Sequence, residues 1–152
     1  MALLIRDGRI ITPTDDFTGD VYAENETITR IEPRIDDKLV APDAVIIDAR
    51  GKYVFPGFID PHVHIYLPFM GTYAADDYES ASKAALAGGT TALIEMICPG
   101  ASDPPLAAFE LWKSKADGLA AVGYTFHMSV VRFEPHIPDQ FREILKARVA
   151  SV

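Results

Sequence analysis

Within Gly57-Phe58-Ile59-Asp60-Pro61-His62-Val63-His64, two imidazoles stand two residues apart in a stretch that reads as a strand. On a strand, residues i and i+2 project from the same face, so His62 and His64 are presented side by side. Neutral imidazole nitrogens suit zinc, iron, nickel or copper. A catalytic zinc needs at least a third protein ligand and an open position for water. The alternative is a pair of strand or surface histidines that bind nothing. Asp60 precedes the pair, where it either orients the strand or a ligand or closes a local turn. His127 reads as a satisfied core histidine, His136 as an exposed loop residue, Cys98 as a small buried hydrophobe and Trp112 as a packing residue.

The elements that must position the pair follow from pattern. Residues 1–55 read as short strands. Asp7-Gly8 lies between two apolar runs and predicts a two-residue hairpin turn. A second strand pair turns around Glu24-Asn25-Glu26, and Val45-Ile46-Ile47-Asp48 is a further strand before Lys52 opens the next. Closely spaced short strands predict a small sandwich or barrel. Fifty-five residues bury too little apolar surface to stand alone.

The texture changes at Pro56-Gly57. Residues 58–60 are strand-like, and a loop rich in Pro, Gly and Tyr follows to about Asp77. Residues 78–87 read as a helix whose apolar face draws on Ala81, Ala84, Ala85 and Leu86, and Gly88-Gly89 stops it. Residues 90–97 are an apolar strand. Asp103 as cap and Pro104 as first residue predict a second helix, striped by Leu106, Phe109, Trp112 and Ala116. Residues 122–128 form a third strand, Pro138 opens a third helix, and residues 149–152 read as a fourth strand. The fold class is α/β, with residues 1–55 as one domain and 56–152 as another. Strands alternating with helices at a step of about 30 residues imply parallel βαβ units. They make half of a (β/α)8 barrel, which takes about 250 residues. An open four-stranded sheet is the other arrangement. The chain stops inside the last strand, which favours the barrel and the front part of a longer polypeptide.

Composition excludes several partners. The chain carries 14 Lys+Arg against 22 Asp+Glu, a formal net charge of −8. Residues 1–55 hold 7 basic and 11 acidic groups, and so do residues 56–152, so neither half offers a basic patch to nucleic acid or an anionic membrane. The single Cys98 rules out an internal disulfide and fits a reducing compartment. No apolar run is long enough to span a membrane. The expectation is a soluble cytoplasmic protein.

Residues 56–64 resemble the first metal-binding strand of the amidohydrolase superfamily. The resemblance runs on through Leu67-Pro68-Phe69-Met70-Gly71-Thr72, Ala75-Asp76-Asp77 and Lys83-Ala84-Ala85-Leu86-Ala87-Gly88-Gly89-Thr90-Thr91. It includes Phe109-Glu110-Leu111-Trp112 and Tyr124-Thr125-Phe126-His127-Met128. Together these resemble the dihydropyrimidinase/hydantoinase branch, the cyclic amidohydrolases, over essentially the whole chain. The first 55 residues match in pattern more than in particular residues.

That resemblance implies a small β-sandwich for residues 1–55, completed by the far end of the protein, and a (β/α)8 barrel that these residues leave at its fourth strand. It implies two divalent metal ions, usually zinc, with His62 and His64 on the more buried one. A lysine carboxylated by carbon dioxide bridges both metals, and is expected just after Val152. Two further histidines and an aspartate come from later strands. That aspartate is the proton shuttle, so no catalytic proton-transfer residue is expected before Val152. The implied reaction is hydrolysis of a small cyclic amide or imide. A metal-activated hydroxide attacks the ring carbonyl, and a dihydropyrimidine or hydantoin opens to an N-carbamoyl amino acid. Leu67, Phe69, Met70 and Tyr73 would wall the site against the substrate's exocyclic group. Glu95, where the family often carries a carboxylate, either supports the ligands or makes a structural hydrogen bond. The family's usual assembly is a homotetramer.

Three alternatives remain. Allantoinases and dihydroorotases are neighbouring enzymes. A dihydroorotase is expected to hold its substrate's carboxylate with basic groups, and residues 65–75 contain no Arg or Lys. The collapsin response mediator proteins share the 83–112 pattern as non-catalytic interaction proteins, but lack the intact histidine pair. A product of 152 residues alone would be an inactive half-barrel with an exposed sheet edge.

Overall fold

Asp7-Gly8 does not turn the chain. In the computed structural model, which describes residues 1–152, strand β1 (Ala2–Ile11) runs straight through both residues. It pairs antiparallel with β2 (Asp16–Glu24), and between Ile5↔Val21 and Gly8↔Gly19 the register slips by one. Arg6 and Asp7 thus face Asp20 alone, in a β-bulge, with Asp7 at φ +55°. The positive φ that suggested a hairpin is used by the bulge instead. The cause is the fully buried Asp20 carboxylate. It accepts the Asp7 N–H at 2.9 Å, the Arg6 guanidinium at 2.6 Å and the Ile35 N–H at 2.9 Å. The chain reverses later, where the Thr12 N–H meets the Asp15 carbonyl at 2.9 Å. It reverses again at Asn25-Glu26, both at positive φ, before β3 (Thr27–Glu32).

The chain divides into two compact units, Met1–Pro56 and Gly57–Val152. In the first, β4 (Val45–Asp48) and β5 (Tyr53–Val54) run parallel to β1, giving a sheet ordered β3-β2-β1-β4 with β5 also against β1.

In the second unit, β6 (Phe58–Val63) is followed by a small hairpin, β7 (Pro68–Phe69) and β8 (Thr72–Tyr73). Then come α1 (Tyr78–Ala87), β9 (Thr90–Ile97), α2 (Pro105–Ala116), β10 (Gly123–Met128) and α3 (Ile137–Lys146). β6, β9 and β10 form one parallel sheet in the order β10-β9-β6. The architecture is mixed α/β. The expected fourth strand is reduced to a parallel bridge between His127 and Ser151. The Ala150 N–H donates to the Phe126 carbonyl at 2.8 Å, and the Met128 N–H donates to the Ser151 carbonyl at 3.0 Å.

The helices form where local chemistry dictates. The Asp77 carboxylate accepts the Ser80 N–H at 2.8 Å while the Ser80 hydroxyl accepts the Asp77 N–H, a capping box. Gly89, at φ +88°, lets the chain leave α1. The buried face of α1 is Tyr78, Ala81, Ser82 and Ala85, whereas Ala84 and Leu86 are exposed. Ala81 and Ala85 of the expected stripe thus pack inward, and Tyr78 and Ser82 take the places expected of Ala84 and Leu86. α2 begins one residue later than its proline signal suggests. Pro104 is the cap residue, and the Asp103 carboxylate closes the preceding turn by accepting the Gly100 N–H at 2.9 Å. One core unites the sheet and helices: Leu93, Ile97, Phe126 and Met128 pack with Tyr78, Phe109, Trp112, Ala116 and Ile144. No helix is long and apolar enough to cross a membrane.

Candidate metal site

Alternation along β6 separates two faces. Val63 and Ile65 pack into the helix-side core, so His62 and His64 project from the opposite, open face. Both are exposed there. Their Nε2 atoms lie 3.2 Å apart, with the rings edge to face at 5.0 Å between centroids. Two nitrogens each about 2.0–2.1 Å from one tetrahedral ion stand about 3.3 Å apart. The pair thus fits two adjacent vertices of a zinc site. No third His, Cys, Asp or Glu converges on them within these residues.

A second bulge aims the pair. β6 and β9 are in register at Asp60↔Leu93 and again at Val63↔Glu95, so Pro61 and His62 occupy the space of one residue. Pro61 has no N–H to give the ladder. The bulge leaves two backbone groups needing partners. The His62 N–H donates to the Asp60 carboxylate at 3.2 Å. The Pro61 carbonyl accepts from His127 Nε2 at 2.9 Å. Asp60 thereby makes a local turn bond, one of the two roles its sequence position left open.

Because a carbonyl only accepts, His127 Nε2 carries its proton, and in the neutral ring Nδ1 accepts from the Ser151 hydroxyl at 2.7 Å. With both nitrogens engaged, His127 is satisfied, but it lies outside the core, on the open face, whereas the sequence predicts a core histidine. It is half-buried and lies beside the pair, its ring 6.3 Å from that of His62.

Glu95 lies on the other face of the sheet, among the helix-side residues, and is 1% exposed. Its Oε1 accepts the N–H groups of Ile65 and Tyr66 at 3.0 and 2.7 Å. Its Oε2 accepts the Tyr78 hydroxyl. Burial pushes its pKa up to about 7, against the opposing pull of the two backbone N–H groups. The Trp112 indole also favours the charged form, although its N–H is buried and makes no hydrogen bond. Glu95 grips the chain directly after His64 without facing the open side.

The segment expected to wall the site is partly ordered as the β7–β8 hairpin. Pro68 pairs with Tyr73 and Phe69 with Thr72. The turn is Met70-Gly71, both at positive φ. Leu67 is half-buried, and its carbonyl accepts the Ala74 N–H at 3.0 Å. Phe69 is 64% and Met70 88% exposed at the tip. The Tyr73 ring stacks on Tyr66 at 5.1 Å, and Tyr66 meets Trp112 edge to face at 5.0 Å. The main chain from 60 to 66 joins His62, His64 and Asp60 to the grip of Glu95. Phe69, Met70 and Tyr73 are grouped apart, on the hairpin. Cys98 is half-buried, and His136 is exposed, 3.6 Å from the Glu134 carboxylate.

Sequence reasoning missed Tyr66 and Tyr78. Each acts on Glu95 across 29 and 17 residues respectively, and no spacing pattern signals such a contact.

Comparison with known proteins identifies the family. The model of the Amidohydrolase family matches residues 45–122. The chain is 36% identical over 146 residues to D-hydantoinase of Geobacillus stearothermophilus, covering 96% of this chain and 30% of that protein. It is 36% identical over 148 residues to dihydropyrimidinase of Rattus norvegicus, covering 93% of this chain and 28% of that one. The solved D-hydantoinase (dihydropyrimidinase) from Thermus sp. superposes with a TM-score of 0.90 at 55% identity, over 95% of this chain and 31% of that chain. The chain therefore spans just under a third of the length of these relatives, and it belongs to the amidohydrolase family, in the N-terminal portion of its hydantoinase/dihydropyrimidinase branch.

Proposed function

We propose that the protein carrying residues 1–152 is a metal-dependent cyclic amidohydrolase that opens dihydropyrimidine or hydantoin rings to N-carbamoyl amino acids. The observation that carries this reading is the 3.2 Å approach of His62 Nε2 to His64 Nε2 on an open sheet face. The hydantoinase and dihydropyrimidinase names of the relatives supply the substrate class.

His62 and His64 would hold one of two divalent metals, zinc first, through their Nε2 atoms. When bound, such a metal brings the pKa of water toward neutrality and polarises the amide carbonyl. Asp60 fixes the His62 main chain, and Glu95 fixes the chain after His64. Phe69, Met70 and Tyr73, with Leu67 at the hairpin base, provide an apolar wall for the substrate's exocyclic group. The carboxylated lysine, the remaining ligands and the proton-shuttling aspartate belong, on this reading, to the rest of a protein of the relatives' length. The open face of β6, β9 and β10 would then be the inside of a (β/α)8 barrel, and the first unit part of a β-sandwich. A cytoplasmic homo-oligomer, a tetramer by resemblance, completes the proposal.

The test is the intact mass and metal content of the native protein, followed by assay on dihydrouracil and hydantoin. The expected result is a mass about three times the 16.6 kDa of this chain, a carbon dioxide adduct lost on acidification, bound zinc, and N-carbamoyl product. A native mass near 16.6 kDa with no zinc and no turnover would overturn it.

A further inference from the structure

His127 has one ring nitrogen on each of two different chain segments. Nε2 donates to the Pro61 carbonyl inside the β6 bulge at 2.9 Å, 66 residues away in sequence. Nδ1 meets the Ser151 hydroxyl at 2.7 Å, 24 residues away. The sheet order is β10-β9-β6, so the ring on β10 reaches past β9 to take hold of β6. It does so on the open face, with its ring 6.3 Å from His62. Pro61, which has no N–H to give the ladder, shares the bulge with His62, the next residue along the chain.

We propose that His127 is a positioning residue for the His62–His64 pair, acting as a crossbar that fixes the Pro61 carbonyl and thereby the aim of His62. The proposal rests on the metal-site reading above. Its two arms are separable. The Pro61 bond holds the bulge directly. The Ser151 bond fixes the ring's tautomer, so that Nε2 carries the proton that Pro61 needs.

The experiment uses the protein that carries residues 1–152 and measures zinc affinity by chelator competition, the melting temperature of the metal-free protein, and kcat/KM. His127→Phe keeps the ring but has no donor. It should weaken zinc binding about 10–100-fold, the usual loss when a group behind a metal ligand is removed, with little change in metal-free melting temperature. His127→Gln returns an N–H donor at similar reach and should recover zinc affinity to within a few-fold of wild type. Ser151→Ala should fall between them. Wild-type zinc affinity in H127F, or equal losses in H127F and H127Q, would overturn the crossbar. Should H127F fail to fold, His127→Asn decides. Its amide is one methylene too short for Pro61, so it should lose the affinity that H127Q keeps, and equal affinity in the two overturns the proposal. A wild-type protein that binds no zinc would instead overturn the metal-site reading, and the crossbar with it. Zinc binding that is indifferent to residue 127 overturns the crossbar alone.

Discussion

Tyr78, the first residue of α1, gives its phenol hydrogen to the buried carboxylate of Glu95 in the middle of β9. The same carboxylate holds the Ile65 and Tyr66 N–H groups, so one side chain ties helix, sheet and ligand loop together. Burial pushes the Glu95 pKa from 4.5 up to about 7. Between those values the unfolded chain has released the proton that the folded chain keeps. Stability from this group is therefore complete below about pH 4.5 and is lost as pH rises through about 7. The full swing is about 3 kcal/mol. Glu95→Gln does not titrate, so urea midpoints of wild type and E95Q across this window should diverge with that sign. Parallel curves would contradict it. Tyr78→Phe leaves one carboxylate oxygen unpaired and should cost about 1–3 kcal/mol.

Gly57 precedes β6, and a Cβ there would run into the Thr91 side chain on β9. Gly57→Ala should destabilise by about 1–3 kcal/mol through overpacking. Thr91→Ala in the same chain should recover part of the loss, because the hydroxyl and methyl are the closest obstacles. Denaturant titration of the two single variants and the double variant gives the coupling directly. Strict additivity would mean that the two residues do not meet.

Removing either imidazole leaves a single vertex of the candidate site. His62→Ala and His64→Ala should each abolish stoichiometric zinc binding and lower kcat/KM on dihydrouracil by on the order of 10³-fold or more. Both are exposed, so metal-free stability should stay within about 0.5 kcal/mol of wild type. Prolonged dialysis of wild type against a chelator should reproduce the loss, and added zinc should reverse it. Full activity in either variant would refute the site.

The hairpin tip separates binding from folding. Phe69→Ala and Met70→Ala remove exposed side chains and should change stability by no more than about 0.5 kcal/mol. On the proposed reading they should lower kcat/KM more for aryl-substituted hydantoins than for dihydrouracil. An equal effect on both substrates would remove the tip from recognition. Tyr73→Ala should behave differently, because its ring is stacked on Tyr66.

What could be read from sequence was local. α1 and β9 occupy residues 78–87 and 90–97 as expected, because Asp77 caps one end of the helix and Gly88-Gly89 releases the other. The errors arose where a distant group decides. Asp7-Gly8 carries hairpin chemistry, but Asp20, across the sheet and buried, captures it as a bulge. The β7–β8 hairpin lies inside a stretch that reads as loop from its Pro, Gly and Tyr content, and its turn, Met70-Gly71, has both residues at positive φ. The closeness of His62 and His64 followed from their spacing alone. The grip of Glu95 and the crossbar of His127 span 17 to 66 residues, and no periodicity encodes them.

The hairpin meets the rest of its unit by a ring contact at Tyr66, while the histidine strand is held by Asp60, Glu95 and His127. Mutational drift can therefore act unequally on the two. On the proposed reading, residues 69–71 could change to suit different ring substituents without disturbing any of the bonds that hold the histidine strand. A scaffold built this way would let its tip vary while its bulge stays fixed. On the same reading, the trace of an ancestral chemistry would outlast substrate changes at Pro61 and its partners.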